Sequence, residues 1–335
     1  MISSKPRVVI THWIHPEVVT FLKGFCDPVL NESRRTWSPE ILREHCLAAE
    51  GLMVFMPDTV EAAFLEQCPN LKVIAGALKG YDNFDIDACT ESGVLFTNVP
   101  DLLTVPTAEL AVALLLGVAR NCAPGDRYVR SGEFKGWRPI FYGSGLAGKT
   151  VGLVGLGAVG RAFARRLGGF DCRLMATDEN PVAEEILEEL NISMCGLDDI
   201  LASADVVALF LPLNEETRHL VNARFLERMK PGSILVNVCR GSVVDEEAVA
   251  DSLERGHLGA YAADVFEFED WALPDRPRKI PARLLENREQ TFFTPHLGSA
   301  VGEVRKEIAM EAALQLKSFF SGEVPEHAVN PSIVE

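Results

Sequence analysis

An α/β protein of two parallel-sheet domains, the second doubly wound, is predicted by three features of this 335-residue sequence. Short β-branched runs alternate with segments of helical spacing along almost the whole chain, the pattern of parallel strands joined by crossover helices. The alternation comes in two trains, with a long apolar helix candidate between them. The second train opens on the glycine pattern G-x-G-x-x-G, set between a strand and a helix.

The first train is "RVVIT" (7–11), "GLMVFM" (51–56), "LKVIAGA" (71–77) and "GVLFTNV" (93–99), with helical spacing between them, as in "PEILREHCLAAE" (39–50). Next comes "PDLLTVPTAELAVALLLGVAR" (100–120), where Pro106 and Thr107 suit a first helical turn and an unbroken apolar stripe predicts a buried connecting helix near 104–120. The second train runs from "TVGLVGLG" (150–157) through 172–178, 204–212, 233–239 and 259–266 to "QTFFTPH" (290–296). An amphipathic helix is expected near 298–320, and the tail from 321 is expected to return to the first domain.

Composition narrows the function classes. A hydrophobic content of 47% with 24% charged residues is enough to bury a large core. The formal charge of −16 argues against nucleic acid and anionic membranes as partners. An anionic ligand therefore needs a local cluster of Lys and Arg. Eight cysteines stand singly, without metal-like grouping, and the N-terminus has no signal-peptide core. The longest apolar helix candidate, Leu110 to Ala119, is too short to span a bilayer. The expectation is a cytoplasmic protein with reduced thiols and no metal.

Gly155-Leu156-Gly157-Ala158-Val159-Gly160 follows a strand and opens a helix. Gly155 permits the turn, Gly157 lets the backbone approach a pyrophosphate, and Gly160 lets helix and strand pack closely. The next strand ends at Asp178, placed to accept hydrogen bonds from an adenosine ribose, and Glu179 follows. Two carboxylates there repel a 2′-phosphate, so NAD is expected in preference to NADP. Farther on, Arg240, Glu269 and His296 lie at or just beyond three successive strand ends, with Asp264 and Glu267 nearby. Arg240 can hold an oxyanion bidentately, His296 can move a proton near neutral pH, and Glu269 can orient the imidazole and favour its charged form.

These motifs, "NVCRGSVVDEEAV", "DVFEFED" and "TPHLGSA" among them, resemble the D-isomer-specific 2-hydroxyacid dehydrogenase family over essentially the whole chain. The resemblance implies a homodimer in which a Rossmann-type domain (101–296) is inserted into a smaller flavodoxin-like substrate domain (1–100 plus 297–335). It also implies that Arg240, Glu269 and His296 are the catalytic set. Asp264 would bind the nicotinamide amide, with Thr107, Leu211, Pro212, Val238 and Cys239 lining the cofactor and Lys79, Arg240 and His296 bordering it. The usual proline after the glutamate is missing, since Glu269-Asp270-Trp271 stands there, so that loop should differ from most members.

Within the family, "FMPD" (55–58), "ALKGYDNFD" (77–85), "VPDLLTVPTAEL" (99–110) and "RSGEFKGWRPIFYGSGL" (130–146) resemble the phosphonate dehydrogenases, NAD-dependent members that oxidise phosphite to phosphate. That resemblance implies a substrate site in which Lys79, beside Gly80, and Arg240 meet the phosphite oxyanion. Arg305 would add a third charge, Ser299 a hydrogen bond and Met56 packing. Trp137 and Tyr142 sit on an arm expected at the dimer interface, where they either reach a neighbouring active site or simply pack. Two alternatives remain: a dehydrogenase or reductase of a small D-2-hydroxy acid of glyoxylate or hydroxypyruvate type, and an NAD-responsive corepressor or scaffold without catalysis.

Overall fold

The computed structural model describes residues 5–333. The chain divides into two compact units: one runs up to Leu103 and resumes at Ala300, and the other is Thr104–Ser299.

The first unit holds a parallel sheet of five strands, β1 (Arg7–Ile10), β2 (Asp27–Leu30), β3 (Gly51–Val54), β4 (Val73–Gly76) and β5 (Leu95–Thr97), in the order β2-β1-β3-β4-β5. Alternate side chains serve opposite faces. Val8 and Ile10 enter the core that also takes Ile308, Ala312 and Leu316 of helix Gly302–Phe320, while Val9 enters the other. The tail runs antiparallel to β5 through a Thr97–Ala328 bridge, and the buried Asn330 accepts the Phe96 N–H and donates to Val94 O.

The second unit holds seven parallel strands, β6 (Thr150–Val154), β7 (Arg173–Thr177), β8 (Ile192–Met194), β9 (Val206–Leu209), β10 (Ile234–Asn237), β11 (Ala260–Ala263) and β12 (Thr291–Phe293). Their order, β12-β11-β10-β9-β6-β7-β8, is that of a doubly wound dinucleotide-binding sheet with one strand added at the edge. Val206 and Ala208 face one core and Val207 and Leu209 the other. Helix Thr104–Ala119 covers the first of these faces with Ala108, Ala111, Leu114 and Leu115.

Two short edge strands, β2 and β8, are additions to the sequence-based expectation. The helix expected from 298 begins instead at Gly302, since Val301 before it is still in extended backbone. Among the described residues no single helix is long and apolar enough to cross a membrane; only the pair Thr104–Ala119 and Cys122–Arg130, bent by 65°, passes that test by length and composition.

Candidate active site

In an open α/β sheet, ligands bind beyond the carboxyl ends of the strands where the chain reverses its direction of winding. In the second unit that point lies between β6 and β9. Gly155 leaves β6 at φ +95°, and a Cβ there would sit 2.5 Å from Phe210 O. At Gly160 a Cβ would meet Gly155 O at 2.5 Å. Gly157, by contrast, is exposed and caps helix Ala158–Leu167, and an added Cβ would meet no protein atom within 4 Å. The first and third glycines thus serve the fold, while the middle one keeps open ground at a helix N-terminus, as a pyrophosphate requires.

Asp178 braces this turn. Its carboxylate accepts the Leu156 N–H at 2.6 Å and the Asn180 N–H at 2.8 Å. Partial burial works to raise its pKa, but these hydrogen bonds and Arg161 outweigh it and hold the carboxyl below its ordinary value. Glu179 beside it is exposed, and so is Pro212, whose carbonyl accepts the Thr217 hydroxyl. Ala158, Val159 and Leu211 are half-buried around the turn, and Val238 is buried at the end of β10.

Arg240, half-buried, follows β10. Its backbone is held by Asn237, whose Nδ2 donates to Arg240 O at 2.9 Å while its Oδ1 accepts the Cys239 N–H at 3.0 Å. Arg240 Nη1 donates to Cys239 O. Gly241 comes next, and a Cβ there would lie 1.9 Å from Phe266 C. The turn carrying Arg240 is therefore pressed against the turn that follows β11.

That second turn presents Glu269. Its Oε1 accepts the Phe266 N–H at 2.9 Å and its Oε2 lies 3.0 Å from His296 Nδ1. A carboxylate can only accept here, so Nδ1 carries the proton and a neutral His296 keeps its Nε2 lone pair. His296 has φ +54°, and Asp264 holds the segment around it. Asp264 O accepts the His296 N–H at 2.8 Å, and the side chain accepts from Leu297 N, Gly298 N and the Thr294 hydroxyl. Asp264 is 1% exposed, and burial raises its pKa against the pull of these bonds. Thr107 closes the far side, since a Cβ on Gly298 would meet Thr107 Oγ1 at 3.1 Å. Half-buried Ser299 ends the segment.

The loop that lacks the usual proline is organised differently. Asp270 accepts the Ser242 N–H at 2.6 Å, and Arg276 stacks on Trp271 with its Cζ 4.6 Å from the ring centre. Glu267 turns away from this cluster to accept from Glu246 N and to meet His219 Nε2 at 2.7 Å. Asn237, Thr294 and Asp270 belong to the framework; they stand inside the quoted motifs, but no role was read for them from the sequence. An asparagine ending an apolar strand, "ILVN", is the one hint the sequence offers.

In the first unit, Lys79 is half-buried just past β4, and its carbonyl accepts the Asn98 Nδ2–H at 2.9 Å. Gly80 follows, also half-buried, and the turn ends in Asp85, which caps helix Ile86–Glu91 by accepting from Ala88 N. Met56 lies past β3, its carbonyl accepting from Asn83 Nδ2. Arg305 stands near the start of helix Gly302–Phe320, with its Cζ 5.7 Å from the Phe55 ring centre. Trp137 and Tyr142, on the segment after helix Cys122–Arg130, are 82% and 76% exposed.

Sheet order and glycine turn together define a dinucleotide-binding domain of the doubly wound class. The chain belongs to the D-isomer specific 2-hydroxyacid dehydrogenase family, whose NAD binding domain matches residues 112–298. It is 36% identical to a glyoxylate reductase of Thermococcus onnurineus, over 98% of this chain and 97% of that one. A glyoxylate reductase of Pyrococcus horikoshii is likewise 36% identical, over 99% and 98%. Among solved structures, the TT0316 protein from Thermus thermophilus superposes with a TM-score of 0.87 at 34% identity, covering 96% of this chain and 99% of that one. A glyoxylate reductase from Paecilomyes thermophila gives 0.83 at 25% identity, with 98% and 99% covered.

Proposed function

We propose that this oxidoreductase oxidises phosphite to phosphate with NAD. The observation that carries the reading is Lys79: a half-buried cation at a strand exit, in the turn "ALKGYDNFD", one of the stretches that resemble the phosphonate dehydrogenases. In an acidic chain, a lysine at that position supplies the local positive charge that a compact, multiply charged anion requires.

Residues suited to hold NAD are the Gly155–Gly160 turn for the pyrophosphate, Asp178 and Glu179 for the adenosine ribose, and Asp264, Thr107, Leu211, Pro212, Val238 and Cys239 for the remainder. The adjacent carboxylates of Asp178 and Glu179 favour NAD over NADP by repelling a 2′-phosphate. When bound, the nicotinamide supplies the acceptor for the hydride that leaves phosphorus. Arg240 grips phosphite oxygens through its fork and Lys79 adds a point charge. Met56 and Ser299 complete the contacts. His296 Nε2 takes the proton of the water whose oxygen bonds to phosphorus, and Glu269 keeps the imidazole in the tautomer that can do so. Arg240 and His296 act on the substrate directly; Glu269 acts through His296.

A second reading is favoured by the comparisons: the named relatives are glyoxylate reductases, and they back reduction of a small 2-oxo acid better than they back phosphite. Arg240 would then hold the carboxylate and His296 would donate to the carbonyl oxygen. NADH formation with phosphite, D-glycerate and glycolate, and NADH loss with glyoxylate and hydroxypyruvate, decide between the two. We expect turnover of phosphite, with a KM raised roughly tenfold or more in Lys79→Ala as one charge-assisted contact is lost. Turnover confined to the organic acids would transfer the assignment to the second reading. No turnover at all would leave a binding protein.

The exposed Phe134, Trp137, Phe141 and Tyr142 form an apolar stretch suited to cover by a second copy of the chain. A homodimer is the expected state, and light scattering that found only monomer would rule it out.

A further inference from the structure

Two nearly buried carboxyls stand behind the candidate catalytic set without a part in the chemistry above. Glu246, 1% exposed, opens helix Glu246–Glu254, and Glu267, 8% exposed, lies two residues before Glu269. They are bonded reciprocally. Glu267 Oε1 accepts the Glu246 N–H at 3.0 Å, and Glu246 Oε1 accepts the Glu267 N–H at 2.8 Å. The other oxygen of Glu267, Oε2, meets His219 Nε2 at 2.7 Å. A carboxylate can only accept here, so His219 Nε2 carries the proton.

These bonds join three segments of the chain. The stretch around His219 runs beside the turn that follows Arg240: the His219 N–H donates to Ser242 O at 2.7 Å, the Val221 N–H to Val243 O at 3.1 Å and the Asp245 N–H to Val221 O at 2.9 Å. His219 takes a left-handed backbone at φ +49°, which a residue other than glycine keeps only where its surroundings enforce it. From the opposite side Asp270 accepts the Ser242 N–H at 2.6 Å. The Arg240 turn is thus gripped at Ser242 and Glu246, and the Glu269 turn at Glu267 and Asp270. Glu267 ties its own segment to the other two. Apolar side chains could fill the same space with no charge to desolvate. What the carboxylate adds is direction, since its hydrogen bonds fix distance and angle between turns that carry the reacting groups.

We propose that Glu267 is a positioning residue for the reaction: braced by His219, it sets the spacing between the turn of Arg240 and the turn of Glu269. The inference rests on the reading of Arg240, Glu269 and His296 as the reaction set, and it holds for either substrate class. Glu267 acts through the backbone of both turns. Loosening it moves Arg240 away from the substrate anion and Glu269 away from His296, so substrate binding and turnover suffer together.

The test is steady-state kinetics of the full chain, on phosphite with NAD and on glyoxylate and hydroxypyruvate with NADH. The His219 side chain is 40% exposed, so His219→Ala should keep the wild-type circular dichroism. Its KM for the reacting substrate should rise and its kcat fall, each by roughly three- to tenfold, with the KM for the nicotinamide cofactor unchanged within about twofold. His219→Gln, whose amide can donate to Glu267 as Nε2 does, should restore both constants to within about twofold of wild type. Glu267→Ala should exceed His219→Ala in both effects. Wild-type constants in His219→Ala and Glu267→Ala would overturn the proposal, and so would a fall in kcat that matches a loss of folded protein while the substrate KM stays fixed. Arg240→Ala separates this failure from that of the site reading. If Arg240→Ala keeps wild-type turnover, or the wild type turns over none of the three substrates, the site reading fails and takes this inference with it. If Arg240→Ala is inactive while His219→Ala and Glu267→Ala are unaltered, only the role of Glu267 fails.

Discussion

His296 sits in a left-handed conformation that costs a residue other than glycine on the order of 1 kcal/mol. It stays there because Asp264 gathers the N–H groups of His296, Leu297 and Gly298 around one residue. With the backbone held this way, the imidazole takes its tautomer from Glu269. Glu269→Gln keeps the shape and removes the charge, so we expect kcat to fall about 10- to 100-fold with little change in KM. Steady-state kinetics on whichever substrate is turned over would show it, and an unchanged kcat would remove Glu269 from the mechanism. The residue types of this set were legible in the sequence because Arg, Glu and His carry chemistry wherever they stand. Asn237 stands in the same quoted motif as Arg240, but its role was not legible, since that role comes from being buried beside the Arg240 carbonyl.

The elements contribute by pressing turns together. Gly241 lets the turn after β10 touch the backbone after β11, and a Cβ there would fall 2.2 Å from Glu267 N. Gly241→Ala must part the two turns, separating Arg240 from Glu269. It should lower stability by about 1–3 kcal/mol, read as a drop of several degrees in Tm, and should cut kcat further than that loss explains. A variant with wild-type Tm and kcat would show that the contact is not needed. At this scale the central strands were legible because burial on both faces demands continuous apolar runs, as in β9. The edge strands β2 and β8 were not: pairing on one side only leaves β2 as "DPVL" and β8 with two exposed residues of its three. The turn that carries Lys79 announced itself through Gly80 and the Asp85 cap.

For the whole molecule, stability should depend on pH through a group that takes no part in the proposed chemistry. Glu246 is 1% exposed and its pKa is pushed up to about 8, chiefly by burial and further by the carboxylates of Glu267, Asp270 and Glu269, against the hydrogen bond from Glu267 N–H. Tyr261 is buried nearby, and His219 meets the same cluster through Glu267. Between the ordinary carboxyl value and about 8, the native state holds a proton that the unfolded chain has released. Stability therefore falls as pH rises through that window and is insensitive to this group above it. Melting curves from pH 5 to 8 should show a steeper fall in Tm for wild type than for Glu246→Gln; parallel curves would contradict the assignment.

What the sequence determined by itself was the α/β class, the two parallel sheets, the glycine turn, and the chemical types of the candidate catalytic set. Each is written in a few neighbouring residues as periodicity, turn chemistry or charge. Tertiary structure alone decided that burial raises the Glu246 carboxyl while hydrogen bonds lower that of Asp178, which backbone His296 must adopt, and that His219 meets Glu267 behind the candidate catalytic set. Those properties arise from desolvation and from partners far apart in the chain, such as Glu269 and His296 or His219 and Glu267, and no local pattern records that they meet.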